Sequence, residues 1–166
     1  METIKNDAHR RAVNPLHPFP CLTPAVNVST PRQRFVANDN PLLLGEIGQR
    51  AQVGDLARCQ AENGLWPTLL NDPDSYLEAS ATAGFAAGIF KAVRLGYLDD
   101  AFLPVAGKAC RGIIEHISPQ GELTQVSFGT AMGNDLDHYR NIPLTAMPYG
   151  QAMAILCLVE ALRRTL

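Results

Sequence analysis

The sequence lacks the patterns that mark membrane, secreted and metal-binding proteins. It contains no apolar run of the roughly 18 residues that a membrane span needs, and its N-terminus has no continuous apolar segment of a signal peptide. Its four cysteines show no C-x-x-C pair and no zinc-type Cys/His spacing: Cys21, Cys59, Cys110 and Cys157. Two disulfides are conceivable, but we expect free structural thiols, no metal and a cytoplasmic protein.

The sequence also lacks a strong excess of positive or negative charge, and it lacks familiar catalytic motifs. The net charge is -2 with no Lys/Arg cluster, which argues against nucleic acid or an anionic membrane as the main partner. There is no G-x-S-x-G, P-loop, dinucleotide fingerprint or H-E-x-x-H. With 46% hydrophobic and 18% charged residues, the composition is that of a soluble globular domain.

Prolines divide the chain into two unlike parts. Residues 1–50 hold six of the 12 prolines and show neither helical nor strand periodicity. This pattern predicts an irregular Pro-rich arm or a disordered tail. Residues 51–166 then follow a mainly helical pattern.

The second part predicts three helices and one short β segment. A small-residue helix runs from Ser75 to Leu95 and ends at a glycine. An amphipathic helix follows, capped by Asp99 or Asp100, and residues 122–130 resemble a strand. Pro148 suits the first position of a last helix, which is apolar on all sides and therefore expected to be buried.

Glu78 lies in the first turn of the predicted small-residue helix and has two interpretations. Ser75 and Glu78 have the spacing of a capping box, which would stabilise the helix by about 1 kcal/mol without any chemistry. The alternative is a carboxylate with a functional role at a helix end.

Other polar candidates are equally open. Trp66 could stack on a sugar or pack half-buried. His138 beside Asp135 and Asp137 could contact a sugar or a metal, or lie in a solvated loop. His116 suits a helix end better than a ligand site.

Several motifs together carry a family resemblance. The runs "ENGLWPTLLNDPDSYLEASATAGFAAGIF", "GELTQVSFGTAMG" and "HYRNIPLTAMPYGQAMAIL" resemble the C-terminal part of glycoside hydrolase families 88 and 105, the unsaturated glucuronyl and rhamnogalacturonyl hydrolases. The resemblance covers roughly residues 55–165. It implies a mainly α fold, a partial six-hairpin α/α barrel of about two to three helical hairpins, and the C-terminal portion of such a domain in residues 51–166.

The resemblance also implies an unusual chemistry. In these families an aspartic acid protonates the C4=C5 double bond of an unsaturated uronyl oligosaccharide, water adds at C5, and the hemiketal collapses to release the second sugar. That step needs an acid whose pKa is held up by its pocket. The aspartate belongs to earlier hairpins of the family, so the chain is expected to be truncated, without a catalytic residue, a metal or a cofactor. The four aspartates of the matched part do not take that role: Asp72, Asp74, Asp135 and Asp137.

Six residues match family positions that line or support the substrate pocket: Trp66, Glu78, Ser80, Thr130, Tyr149 and Gln151. Three interpretations remain open. The chain could be a hydrolase portion that is inactive alone, or part of a barrel completed by self-association or by a complementary chain. It could instead be a non-catalytic helical module that binds sugar or protein.

Overall fold

The computed structural model describes residues 41–164. They form four longer helices, one short helix and four two-residue strands, which are linked by loops. The helices are α1 (Pro41–Cys59), α2 (Ala79–Arg94), α3 (Leu103–Glu115), α4 (Leu136–Arg140) and α5 (Pro148–Leu162), with a 3-10 turn at Asp100–Phe102. The antiparallel strand pairs are β1 (Trp66–Pro67) with β2 (Leu77–Glu78) and β3 (Val126–Ser127) with β4 (Leu144–Thr145). The fold is mainly α, as predicted, and β3 lies within the predicted β segment. No helix among the described residues is both long and apolar enough to cross a bilayer.

The first helix begins earlier than the sequence pattern suggests. It starts at Pro41, so residues 41–50 of the predicted arm are helical. A proline at the first helical position loses no hydrogen bond, which allows a Pro-rich stretch to lead directly into a helix. Residues 1–40, with Cys21, lie outside the described residues, and the division into an arm and a barrel portion stays a prediction.

Helix α2 forms the centre of the core because its small residues let two neighbours approach closely. Ala79, Ala83 and Ala86 are fully buried, and α2 packs against both α3 and α5. Near its end, Ile89 and Phe90 fill the wider space with larger buried side chains. Close helix packing thus depends on these three alanines, whereas Gly88 of the same helix is exposed.

The start of α2 corrects the predicted capping box. The Ser75 hydroxyl is already engaged by its own loop, where it donates to the Asp72 carbonyl oxygen at 2.8 Å and accepts from the Leu69 amide at 3.1 Å. Strand β2 follows, so the helix begins at Ala79 rather than Ser75. Glu78 itself is the N-cap residue, and its carboxylate accepts from the Ala81 amide at 2.5 Å.

The other predicted helix ends are confirmed. Gly96 has a φ of +78°, the left-handed conformation in which glycine is favoured after a helix. The Asp99 carboxylate accepts from the Ala101 amide at 3.1 Å and caps the turn before α3. Pro148 opens α5. Each of these signals depends on the local chain alone.

The prediction that α5 is buried on all sides is wrong. Ala154 and Cys157 face the core, whereas Ile155 is 61% and Leu156 52% exposed. The reason is that α5 packs against α2 and α3 along one side, and no element among residues 41–164 covers the other. The buried Cys110 and Cys157 are free thiols, as predicted.

A buried carboxylate joins the C-terminal ends of α2 and α5. Arg94 donates from Nε and Nη2 to the two Glu160 oxygens at 2.9 and 3.1 Å, and Arg163 donates to the same carboxylate at 2.9 Å. The hydrogen bond from Arg94 lowers the pKa of Glu160. The pair therefore stabilises the fold at neutral pH, and this contribution is lost as the pH falls below 4.5, the ordinary pKa of a glutamate, towards the lower pKa of the folded protein.

Replacing Glu160 with Gln should destabilise the protein at neutral pH because the ion pairs are lost. We expect the difference in the free energy of unfolding between wild type and Glu160→Gln to shrink as the pH falls below the ordinary glutamate range. Urea unfolding followed by circular dichroism across pH measures it. The exposed Glu62→Gln is the control, and an equal pH dependence in the two variants would contradict the assignment.

Candidate functional site

A cavity of about 480 Å³ opens at the N-terminal end of α2. Its hydroxyl-bearing lining residues are Thr68, Ser80, Ser127 and Thr130, and its aromatic lining residues are Phe85, Tyr139 and Tyr149. Aromatic walls with a few placed polar groups are typical of small-ligand sites, and rings with hydroxyls suit the apolar faces and the edges of a sugar.

Glu78 lies in the wall of this cavity but is only 5% exposed. Its Oε1 accepts from the Ser127 amide at 3.0 Å and from the Ser80 hydroxyl at 2.8 Å, while Oε2 accepts from the Ala81 amide. Every partner is a donor, so the arrangement suits a carboxylate that accepts hydrogen bonds. Glu78 therefore caps α2 and fastens β3 to it.

Ser127 of the cavity lining is linked to three other residues through hydrogen bonds. Besides its amide bond to Glu78, its hydroxyl lies 2.9 Å from the Tyr76 hydroxyl, and its carbonyl oxygen accepts from the Tyr149 hydroxyl. Close packing supports this arrangement, because a Cβ on Gly150 would lie 2.7 Å from Val126 Cγ2. The glycine in "PYGQ" thus lets β3 lie directly against the start of α5.

Four of the six residues predicted for the pocket come together in its lining: Glu78, Ser80, Thr130 and Tyr149. They approach from the start of α2, the segment after β3 and the start of α5. Thr130 is exposed and Tyr149 is 39% exposed, so both are accessible to a ligand.

Trp66 and Gln151 lie behind the lining. The Trp66 ring is 1% exposed, donates from Nε1 to the Leu56 carbonyl oxygen at 2.7 Å, and packs edge-on against Phe85. Gln151 accepts from the Leu123 amide at 2.9 Å and donates to the carbonyl oxygen of the same residue at 3.2 Å. Trp66 supports the aromatic wall without a face open to a sugar, and Gln151 holds the segment before β3.

Sequence reasoning missed the other lining residues, among them Phe85, Ser127 and Tyr139. Phe85 had a detectable signal, since it follows Glu78 by seven positions, two helical turns, and is the one bulky side chain in "ATAGFAAG". Ser127 lies in the predicted β segment and Tyr139 in the polar stretch after it, and no pattern assigned the two side chains to a common site.

The acidic and histidine residues of "NDLDHYRN" build α4 and are not gathered in the cavity. The Asp135 carboxylate caps α4 by accepting from the His138 amide at 2.9 Å, and His138 Nε2 lies 3.1 Å from the Ala131 carbonyl oxygen. Asp137 pairs with Arg140. Within residues 41–164 no group of three or more His, Cys, Asp or Glu side chains could hold a metal ion.

Comparisons with known proteins identify similar sequences. The family model of Glycosyl Hydrolase Family 88 matches residues 48–165. The unsaturated rhamnogalacturonyl hydrolase YesR of Bacillus subtilis (strain 168) is 34% identical over 115 residues, which make up 69% of this chain and 32% of that protein.

Solved structures agree on the fold. A Salmonella enterica serovar Paratyphi A protein, a possible member of family GH105, is 59% identical with a TM-score of 0.73, covering 82% of this chain and 35% of that one. A family 88 glycosyl hydrolase from Bacteroides vulgatus, 20% identical with a TM-score of 0.62 over 78% of this chain and 38% of that one, shares the fold. The predicted fold class, part of an α/α barrel, is confirmed, and the chain spans about a third of the length of YesR and the Salmonella protein.

Replacing Glu78 with Gln should destabilise the fold, because an amide would turn its NH₂ towards the Ala81 or the Ser127 amide. We expect the free energy of unfolding to fall by about 2 kcal/mol, the scale of hydrogen bonds to a charged group. Urea unfolding with circular dichroism measures it. Glu115→Gln, on the exposed side of α3, should stay within about 0.5 kcal/mol. If the Glu78→Gln variant is as stable as that control, the structural role assigned to Glu78 is wrong.

Proposed function

The chain belongs to glycosyl hydrolase family 88, and we propose that its cavity is one wall of a binding site for an unsaturated uronyl saccharide. The observation that carries the proposal is the meeting of Tyr139 and Tyr149 with the hydroxyls of Ser80 and Thr130 in one cavity. The similarity to an unsaturated rhamnogalacturonyl hydrolase supports the substrate class. Such proteins degrade pectin-type polysaccharide fragments, the role predicted from the sequence.

The charges of the lining indicate what this wall contributes. Among residues 41–164 no Lys or Arg lines the cavity, so this wall contacts the faces and hydroxyls of a sugar rather than its carboxylate. No aspartate of the same range lines it either, and the Glu78 oxygens are occupied by donors. We assign substrate binding to this chain, whereas the acid that protonates the double bond belongs to the portion of the family fold that the chain does not span.

The exposed side of α5 supports a partner for this wall. Ile155, Leu156 and Val159 are 61%, 52% and 39% exposed on one side of the helix. A contiguous apolar surface of this kind marks an interaction site. Because the Salmonella protein extends well beyond the 35% of its length that matches, we propose that this side of α5 packs against the remaining helical hairpins of the family fold.

Mixing tests this assembly. When the non-matching portion of the Salmonella protein is added to this chain, the two should form a complex that hydrolyses an unsaturated rhamnogalacturonyl disaccharide. The loss of absorbance from the double bond of the disaccharide measures this activity. Ile155→Asp should weaken assembly at least about tenfold, since a charge would be buried. Ile114→Asp, at a 53% exposed site on α3, is the matched control and should assemble normally.

Two outcomes would contradict the assembly. If Ile155→Asp and Ile114→Asp assemble equally well, α5 is not the contact surface. If sedimentation shows a homodimer that Ile155→Asp dissociates, the occupant is a second copy of this chain. Saccharide binding by the chain alone, with no product under any mixture, would instead support the non-catalytic sugar-binding module.

Thr130 offers a test of the cavity that should not disturb the fold, because the residue is exposed. Thr130→Val should weaken binding of the disaccharide roughly three- to tenfold through loss of one hydroxyl contact, measured by calorimetry. Thr145→Val, at an exposed threonine of β4 outside the cavity, is the control. Equal affinities for the two variants would exclude Thr130 from the site.

A further inference from the structure

Two segments line the cavity rim and are here called its two sides. Residues 67–70 contribute Thr68 and Leu70, and the segment between β3 and β4 contributes Thr130 and Tyr139. The cavity width therefore depends on how the second segment is held against the first.

The segment between β3 and β4 is held at its root, the part next to the strand pair. Further out, its hydrogen bonds are mainly between its own residues. At the root, the Phe128 amide donates to the Pro143 carbonyl oxygen at 2.8 Å beside the strand pair. Further out, the Gly133 amide donates to the Tyr139 hydroxyl at 3.1 Å. These contacts shape the segment without placing it relative to the other side of the rim.

Arg140 supplies a polar link between the two sides. Its Nε donates to Asp72 Oδ2 at 2.7 Å across the rim, and its Nη1 donates to Asp137 Oδ1 at 2.7 Å within α4. The two carboxylates differ in setting, since the Asp72 side chain is 18% exposed and that of Asp137 78%. The hydrogen bond from Arg140 lowers the pKa of Asp72.

Asp72 is a rigid anchor because its own loop holds it. Its amide donates to the Leu69 carbonyl oxygen at 2.8 Å, and its Oδ1 accepts from the Asp74 amide at 3.2 Å. Its carbonyl oxygen accepts from the Ser75 amide at 3.1 Å and from the Ser75 hydroxyl at 2.8 Å. A side chain paired with Asp72 is thus placed relative to β1 and β2.

We propose that Arg140 is a positioning residue of the saccharide pocket: its pairing with Asp72 holds the adjacent Tyr139, and with it Thr130, at the spacing that admits the sugar. The inference rests on the proposed function. A guanidinium binds two carboxylates in a fixed plane, whereas a lysine ammonium is a point charge on a flexible stem. Arg140 therefore fixes the orientation as well as the distance of α4 relative to the rim.

The chain contains its own matched control. Asp72→Asn and Asp137→Asn each remove one carboxylate partner of Arg140, the first across the rim and the second within α4. We expect Asp72→Asn and Arg140→Gln to weaken binding of the unsaturated uronyl disaccharide roughly three- to fivefold, and Asp137→Asn less than about twofold. Arg140→Lys should recover part of the loss.

A second readout reports position independently of binding. In protein labelled with fluorotyrosine, the Tyr139 resonance, assigned by Tyr139→Phe, should shift or broaden in Asp72→Asn and Arg140→Gln and stay unchanged in Asp137→Asn. Urea unfolding of each variant separates this effect from loss of the fold.

The outcomes are distinguishable. If the Tyr139 resonance responds equally to Asp72→Asn and Asp137→Asn, or to neither, the positioning role is wrong. If wild type binds the disaccharide and Asp72→Asn leaves the affinity unchanged, it is also wrong. If no form binds the disaccharide, the proposed function fails, and the resonance alone then decides whether Arg140 and Asp72 place Tyr139.

Discussion

The hydrogen bonds of the Glu78 carboxylate are the interaction on which the rest of the structure depends. Glu78 stands where β2 ends and α2 begins, and it binds the first turn of α2 and the Ser127 amide of β3 together. A buried carboxylate is costly unless donors surround it, and here two backbone amides and one hydroxyl do so. The same contacts place the start of the central helix, the strand of the rim and the cavity between them.

The small residues of α2 also determine which side of α5 is buried. Because Ala79, Ala83 and Ala86 take little space, α3 and α5 both approach α2, and α5 is left with one side against the core and one side open. A helix apolar on all sides is stable in water only when a second surface covers it. The exposure of Ile155 and Leu156 thus fits the proposal that further hairpins of the family fold cover this side of α5.

The sequence predicted those features that are decided within a few residues. Gly96 and Pro148 mark helix ends through their own backbone preferences and were identified correctly, and Asp99 is one of the two caps that the sequence offered. The start of α2 was not, because the Ser75 hydroxyl is taken by Leu69 and Asp72, contacts that only the folded loop creates.

The candidate site was predictable only in part, for a similar reason. Family motifs identified Glu78, Ser80, Thr130 and Tyr149, but a motif states which residues matter and not which way a side chain points. Trp66 turns into the core because its indole N–H finds a carbonyl oxygen of α1 there. Tyr139 lines the cavity from α4, whose Arg140 pairs with Asp72, and no local pattern encodes this pairing of residues 68 positions apart.

The geometry of the Glu78 carboxylate fits the proposed division between substrate binding and proton transfer. A general acid needs a carboxyl oxygen that is free to reach the substrate. The Glu78 oxygens are instead occupied by the donors that hold α2 and β3. Under the proposed function, the acid approaches the sugar from a part of the family fold that this chain does not span. The proposal then makes the position of Tyr139 decisive, since a displacement by even about 1 Å would misplace the sugar relative to that acid.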